Sequence, residues 1–325
     1  MENKKKNNII LEEGEIVNFK KLKDIINSGF EKCICKIKKE IKDVRMARKE
    51  YGTGFFCNIS DKNLKVILTN NHIINNEFLQ KERILKLEVE EKEKEINLKL
   101  KRYKMSDEEL DFTIIEIIKE DNINNFLEID KEIYTNDYIE EQIFSPQYPG
   151  GEDLKYSQGK IIGKKGGLYL YTVGTSGGSS GSPLILFNNL KIIGLQVGCI
   201  YEENKYKINL GIPINLIIDA IDSIKCIYKI NKEDLEKDIQ IINNGYYDFK
   251  NQFQECNEEI RNKIKIIVNK KPKLNTMKCK FNEKGQYKIY IIEKEKIKDI
   301  SCMFNWCVSL ISVDFSYFKP KNIAY

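Results

Sequence analysis

Residues 175–184 read TSGGSSGSPL: four serines among glycines, then a proline. Glycines at this density allow backbone conformations that other residues avoid, and a serine in such a turn can be presented as a nucleophile. Two patterns overlap here. Gly174-Thr175-Ser176-Gly177-Gly178 fits G-x-S-x-G, in which Ser176 attacks from a turn between a strand and a helix. That reading requires a helix next in the chain and a downstream histidine. Instead, Pro183 and the apolar run SPLILF come next, and the single histidine, His72, lies upstream. The second pattern is Gly178-Ser179-Ser180-Gly181-Ser182-Pro183, with Ser180 as nucleophile and the N–H groups of Gly178 and Ser180 as an oxyanion hole. It requires a histidine and an acid earlier in the chain. His72 comes directly after the buried-strand pattern VILTN, and Asp111 opens the apolar run DFTIIEI. The order His72, Asp111, Ser180 selects the second pattern.

Outward from this stretch the chain reads as many short strands. CICKIK, YGTGFFCNI (51–59), LKVILTN (64–70), KLEVE, INLKLKRY and DFTIIEIIK (111–119) come before it. EEQIFSP, GKIIGKKG, LYLYTVG, SPLILF, KIIGLQVGCIY and YKINLGIPI lie around and after it. Short strands at close spacing, broken by Gly, Asn and Lys turns, predict an all-β barrel or sandwich. NLIIDAIDSI (215–224) is apolar at helical spacing and predicts a closing helix. Three regions result: a polar tail with a short helix, NFKKLKDII, over 1–29; a β domain over 30–230; and a smaller α+β region over 231–325. In the last, KEDLEKDIQIINNG (232–245) and DFKNQFQECNEEIRN (248–262) read as helical, and MKCKF and QYKIYIIE as strands.

Composition narrows the function classes. The net charge of +5 is spread over Lys/Glu/Asn runs along the whole chain. A segment such as VEEKEKEINLKLKR (89–102) therefore reads as a solvated face, not a nucleic-acid surface. No apolar run approaches the roughly 18 residues that a spanning helix needs, and MENKKKNNII has no apolar segment after its basic one. Nine scattered cysteines do not form a disulfide framework, so a reduced, cytoplasmic protein is expected. Cys33/Cys35 and Cys302/Cys307 lack a second pair at ligand spacing, so no zinc site is expected.

The joint set of motifs resembles the chymotrypsin-like (trypsin-like) serine proteases, on the glutamyl-endopeptidase and HtrA-type branch. The matching pieces are GTGFF (52–56), LTNNHII (68–74), DFTIIEI (111–117), TSGGSSGSPL (175–184), IIGLQVG (192–198) and NLGIPIN (209–215). The resemblance covers roughly residues 30 to 225. It implies two six-stranded antiparallel β-barrels, with His72 and Asp111 from the first and Ser180 from the second. It also implies a polypeptide substrate, an acyl-enzyme intermediate and no metal or cofactor. The specificity pocket would be floored by Gly174 and Thr175 and walled by Gln196, Val197, Gly198 and Cys199. With no charge there, cleavage after a neutral residue is expected. Two departures from the resembled pattern matter. Ile73 stands where secreted relatives carry a cysteine, and Ser179 stands where digestive enzymes carry the acid that pairs with a freed N-terminus. Activation by N-terminal cleavage is therefore not expected.

The segment ISCMFNWCVSLISVDFSYFKPKN (300–322) resembles one BspA-like leucine-rich repeat, without a second copy. A solenoid needs about three repeats, so a single one is expected to dock on neighbouring structure or to belong to something longer. Residues 231–325 are expected to engage a protein partner rather than take part in chemistry. The competing expectation is a catalytically silent protein that keeps the protease fold as a scaffold.

Overall fold

The computed structural model describes residues 29–42, 47–201, 207–247, 250, 252–255, 259–274, 276–295, 300 and 302–316. The helix expected over 18–26 lies outside them. The chain divides into two compact units, 1–217 and 218–325.

The first unit is β-rich and has two halves. The strands of the first half are β1 (Ile34–Lys42), β2 (Ala47–Ile59), β3 (Leu64–Thr69), β4 (Ile84–Val89), β5 (Lys92–Asn97), β6 (Lys104–Asp107), β7 (Phe112–Glu116) and β8 (Leu127–Glu128), with one short helix, α1 (Asn76–Lys81). They form one sheet in the order β5-β4-β1-β2-β3-β7-β6, and β8 pairs in parallel with β2. The expected first barrel is thus a half-barrel of eight strands, with no β5–β6 pairing among the described residues. Strand β4 covers the expected KLEVE strand, and it forms a hairpin with β5 that turns at Glu90 and Glu91, both in the left-handed region (φ 49° and 61°). The charged run 89–102 is therefore a hairpin arm and a turn. Its Ile96 and Leu98 are buried against Cys35, Ile37 and Phe56. Burying each such side chain contributes roughly 1.5–3 kcal/mol, enough to hold a strand whose other face is solvated.

The second half is the closed barrel β10-β11-β14-β13-β12-β9. Its strands are β9 (Gln142–Gln147), β10 (Lys155–Lys165), β11 (Leu168–Tyr171), β12 (Pro183–Leu186), β13 (Ile192–Tyr201) and β14 (Lys207–Pro213). Tyr138, Ile143, Ile161, Tyr169, Tyr171, Leu184 and Ile193 fill its interior. Helix α2 (Ile214–Ile221) comes next, where the sequence pattern placed one. The half-barrel, the closed barrel and the smaller α+β region after them make up the expected chymotrypsin-like architecture.

In the second unit, β15 (Ile224–Ile230), β19 (Ile264–Val268), β20 (Lys271–Leu274), β22 (Gly285–Glu293) and β23 (Leu310–Asp314) form a sheet ordered β20-β19-β22-β15-β23. Strand β15, inside the span read from sequence as the protease domain, lies between β22 and β23 in this sheet. Neither expected helix is present as read. Residues 232–245 form a short 3-10 turn (Lys232–Asp234) and the strands β16 (Ile239–Gln240) and β17 (Gly245–Tyr247). Within 248–262 lie β18 (Phe253–Glu255) and the start of the short helix α3 (Glu259–Lys263). The physical reason is burial. Ile239, Ile241 and Ile242 enter the core with Ile260 and Phe281, and β16 pairs with β21 (Lys278–Cys279). Tertiary contacts outweigh the helix-forming Lys/Glu composition. In the repeat-like segment, Met303 and Cys307 are buried in the same core, and β23 pairs antiparallel with β15.

Candidate active site

Strands β3 and β7 are antiparallel with Thr69 opposite Thr113. The residues just after β3 therefore meet the residues just before β7. On the β3 side, the N–H groups of Ile73 and Ile74 both donate to the Asn70 carbonyl (3.2 and 3.1 Å), which turns the chain sharply around His72. On the β7 side Asp111 sits at φ 51°, a conformation that costs a non-glycine residue about 1–3 kcal/mol. The Asn70 amide donates to the Asp111 carbonyl at 2.9 Å and steadies it there. The Asp111 carboxylate then faces His72 squarely. Nδ1 lies 2.8 Å from Oδ2 and 3.1 Å from Oδ1, and the His72 N–H donates to Oδ1 at 3.0 Å. An imidazole so held keeps a proton on Nδ1 and leaves Nε2 to exchange one. Behind the turn, Asn71 donates to the Ser106 hydroxyl (2.6 Å), Ser106 pairs with Thr113 (2.6 Å), and the Thr113 hydroxyl donates to the Ile74 carbonyl.

The serine loop is built differently. Ser179 is buried, and its hydroxyl accepts the Ser176 N–H at 3.0 Å. Ser179 N–H donates back to Ser176 O, and Ser182 N–H to Ser179 O, both at 3.1 Å. Gly178 and Gly181 take φ 90° and 86°, which glycine adopts without strain. A Cβ on Gly178 would press into the Tyr148 carbonyl, and one on Gly181 into the Thr53 carbonyl. The loop is anchored to β13 by Gly181 N–H on Gln196 O (3.2 Å) and Gln196 N–H on Ser182 O (2.9 Å). Among the described residues, the N–H groups of Gly178 and Ser180 have no acceptor within the protein, while those of Ser179 and Gly181 do. Ser180 is part-buried and Ser176 is exposed. No hydrogen bond joins Ser180 to His72 among the described residues, and the imidazole is 45% exposed.

Gly174 and Thr175 lie between β11 and this loop. The Gly174 carbonyl accepts from Gln147 at 2.7 Å, and the Thr175 hydroxyl donates to Asn209 Oδ1 at 2.6 Å. Asn209, which the motifs did not single out, also donates from Nδ2 to the Val173 carbonyl. Val197, Gly198 and Cys199 are part-buried along β13, where the register slips between Gln196 and Gly198. Gln196 itself is buried, and its Oε1 has no partner among the described residues. Burial holds the neighbouring Tyr171 phenol well above its ordinary range, so it stays neutral. Among the described residues, no cluster of three His, Cys, Asp or Glu side chains could hold a metal.

Residues 52–195 match the family model of the trypsin-like peptidase domain. That span includes His72, Asp111 and Ser180. No match to the chain was found among curated proteins. Two similar solved structures are the Rv3671c protease in an inactive form and a serine-to-alanine mutant of Rv3671c from M. tuberculosis, also inactive. The first is 16% identical, covers 59% of this chain and 89% of its own, and has a TM-score of 0.43. The second is 15% identical, covers 59% and 86%, and has a TM-score of 0.42. Four features stand outside the residues singled out from sequence: Thr53, Asn70, Asn209 and the turn Tyr148–Gly151. For Thr53 a signal existed, since glycines on both sides inside a strand mark a close backbone approach. The others have only local polar side chains or a Pro-Gly-Gly run to announce them.

Proposed function

We propose that this chain is a serine endopeptidase in which Ser180 attacks, His72 is the general base and then acid, and Asp111 fixes the imidazole. The observation that carries this reading is the two-point pairing of His72 with Asp111, through both Nδ1 and the backbone N–H. On this reading Nε2 takes the Ser180 proton as the hydroxyl adds to the peptide carbonyl, and returns it to the leaving amine. The N–H groups of Gly178 and Ser180 receive the oxyanion, where losing one donor typically costs about 10²–10³ in rate. The acyl-enzyme is then released by water along the same path. The pocket residues Gly174, Thr175, Val197, Gly198 and Cys199, with Asn209, carry no formal charge, so cleavage occurs after a neutral P1 side chain. A buried Lys or Arg there would lack a partner and cost several kcal/mol. Ser179 supports the loop through its own hydroxyl, so the chain needs no activating cleavage, and a reducing, cytoplasmic setting suits its free thiols.

The test is fluorophosphonate labelling and then a peptide-library cleavage profile. Labelling of Ser180 with cleavage after neutral residues is expected. Labelling of Ser176, or dominant cleavage after Arg, Lys or Glu, would overturn the corresponding part. A silent scaffold is the second reading, favoured by the missing Ser180–His72 hydrogen bond. Such bonds are often long before substrate arrives, and an unlabelled wild type would decide for the scaffold. Residues 231–325 belong, on this proposal, to partner engagement, as does the leucine-rich-repeat likeness of 300–322. The strong exposure of Val308, just before β23, and of Ile311 within it supports it.

A further inference from the structure

Gly52-Thr53-Gly54 lies within β2. A Cβ on Gly52 would fall 2.8–2.9 Å from the Ile73 side chain, and one on Gly54 would fall 3.0 Å from Cys35 Sγ. Gly52 lets β2 pass close to the histidine turn, and Gly54 leaves room for Cys35 and Ile37 of β1 and Ile67 of β3. Thr53 between them is fully buried, and all its polar groups are used. Its N–H donates to the Ser180 carbonyl at 2.9 Å. Its hydroxyl donates to the Gly178 carbonyl at 2.8 Å and accepts the Tyr148 N–H at 3.1 Å. Its carbonyl accepts the Thr69 hydroxyl at 2.8 Å, three residues before His72.

These contacts account for how the serine loop is oriented. The carbonyls of four successive residues are each bound. Gly177 accepts from Gly150 N–H (2.5 Å) and Ser179 from Ser182 N–H (3.1 Å), while Gly178 and Ser180 accept from Thr53. A peptide plane whose carbonyl is tied has its N–H aimed the opposite way. Gly177 and Gly178 would otherwise allow their planes to turn over freely. The Gly178 N–H shares its plane with the Gly177 carbonyl, which Gly150 ties. Thr53 ties the following plane, of the Gly178 carbonyl and Ser179 N–H, and by accepting the Tyr148 N–H it also holds the turn that carries Gly150. Gly178 is thus fixed from both sides with its N–H available for a ligand.

The geometry points to Thr53 as a positioning residue: its buried hydroxyl, between the Tyr148 amide and the Gly178 carbonyl, keeps the oxyanion donors in place across the two halves of the site. This rests on the endopeptidase reading. Thr53 touches no substrate and acts through Gly178. The effect is therefore expected in turnover and in binding of tetrahedral mimics, not in substrate binding.

The experiment compares wild type, Thr53→Ser and Thr53→Val on a fluorogenic peptide chosen from the cleavage profile. Active sites are counted by fluorophosphonate titration, and affinity is measured for a peptide boronate of the same sequence. Thr53→Val is expected to lower kcat per titrated site by roughly 10- to 100-fold, below the loss of a whole donor. KM should stay within about twofold, and boronate affinity should fall in parallel with kcat. Thr53→Ser keeps the hydroxyl and should stay within about threefold of wild type. If Thr53→Val does not fold, Thr53→Ala takes its place with the same expectation. Unchanged kcat per site, a loss confined to the titrated fraction, or a Ser variant as poor as the Val variant would overturn the proposal alone. A wild type that neither labels nor cleaves would overturn both it and the endopeptidase reading.

Discussion

The two sides of the candidate site are held by different means. His72 and Asp111 are fixed by side chains: Asn70 on the Asp111 carbonyl, Asn71, Ser106 and Thr113 behind the turn, and the carboxylate on the imidazole. The serine loop is fixed mainly through its backbone carbonyls, with glycines where a side chain would collide. A side-chain scaffold can lose one member and relax. A backbone scaffold with no room for a Cβ cannot.

Substitutions can break this comparison or sharpen it. The largest effect is expected for Ser180→Ala and His72→Ala, each lowering kcat about 10⁴-fold or more. Ser176→Ala should stay within about twofold, because its exposed hydroxyl meets neither scaffold. Comparable activity in Ser180→Ala would show that the backbone scaffold presents a different group. Next comes Asp111→Asn, at about 10⁴-fold, since an amide cannot hold the Nδ1 proton as a carboxylate does. The pH–rate profile and kcat of that variant are the measurements.

Gly178→Ala should cost about 10²–10³ in kcat, equivalent to losing an oxyanion donor. Circular dichroism should still report a folded protein. A fully active Gly178→Ala would mean that the Tyr148 carbonyl yields, and the distinction between the two scaffolds would collapse. Asn70→Ala removes one side-chain support under Asp111. It is expected to lower kcat on the order of tenfold with KM unchanged, as small misplacements of catalytic groups do. A loss as large as that of Gly178→Ala would show the histidine side to be equally unforgiving.

The smallest effect concerns stability. Asp130 is buried before the closed barrel and accepts from Tyr138 (2.7 Å), Asn189 (2.6 Å) and the Glu132 N–H (2.8 Å). Burial alone would raise its carboxyl, but these hydrogen bonds, with Lys191 nearby, outweigh it and hold the group below its usual range. Its stabilising contribution is therefore fully present above the ordinary carboxylate pKa of about 3.9 and is lost as pH falls through the lowered value. Urea midpoints of wild type and Asp130→Asn should accordingly converge on acidification. A gap that widened at low pH would contradict the direction of that shift.

Much of this was legible from single residues. One histidine in 325 residues, an aspartate opening an apolar strand and a glycine-flanked serine, in that order, led to the candidate site. The strands of the closed barrel were legible because their apolar runs end in Gly, Asn and Lys turns. The β4–β5 hairpin was not, because its tight turn is Glu90-Glu91 in place of the Asn-Gly or Asp-Gly such turns favour. Asn269 and Lys270 disguise the turn between β19 and β20 in the same way. Residues 232–262 misled through composition, since Lys and Glu favour helices wherever packing does not decide. The roles of Thr53 and Asn70 were out of reach for a further reason. Both depend on partners far along the chain: the glycines beside Thr53 mark a close approach, but neither they nor anything near Asn70 names the distant carbonyl that is bound.

Those distances have a consequence for when the site comes into being. The His72–Asp111 pair spans 39 residues, whereas the Thr53 hydroxyl reaches Gly178 across 125. Contacts between distant segments form late, because the intervening loop must close before they gain anything. At about 5–20 residues per second of synthesis, Gly178 emerges roughly 6–25 seconds after Thr53. In the later part of that interval, once Asp111 has emerged, the growing chain carries its imidazole and carboxylate but neither the serine nor its donors. On the proposed endopeptidase reading, hydrolytic competence therefore arrives only after the serine loop has been made and has met Thr53, late in the life of the growing chain.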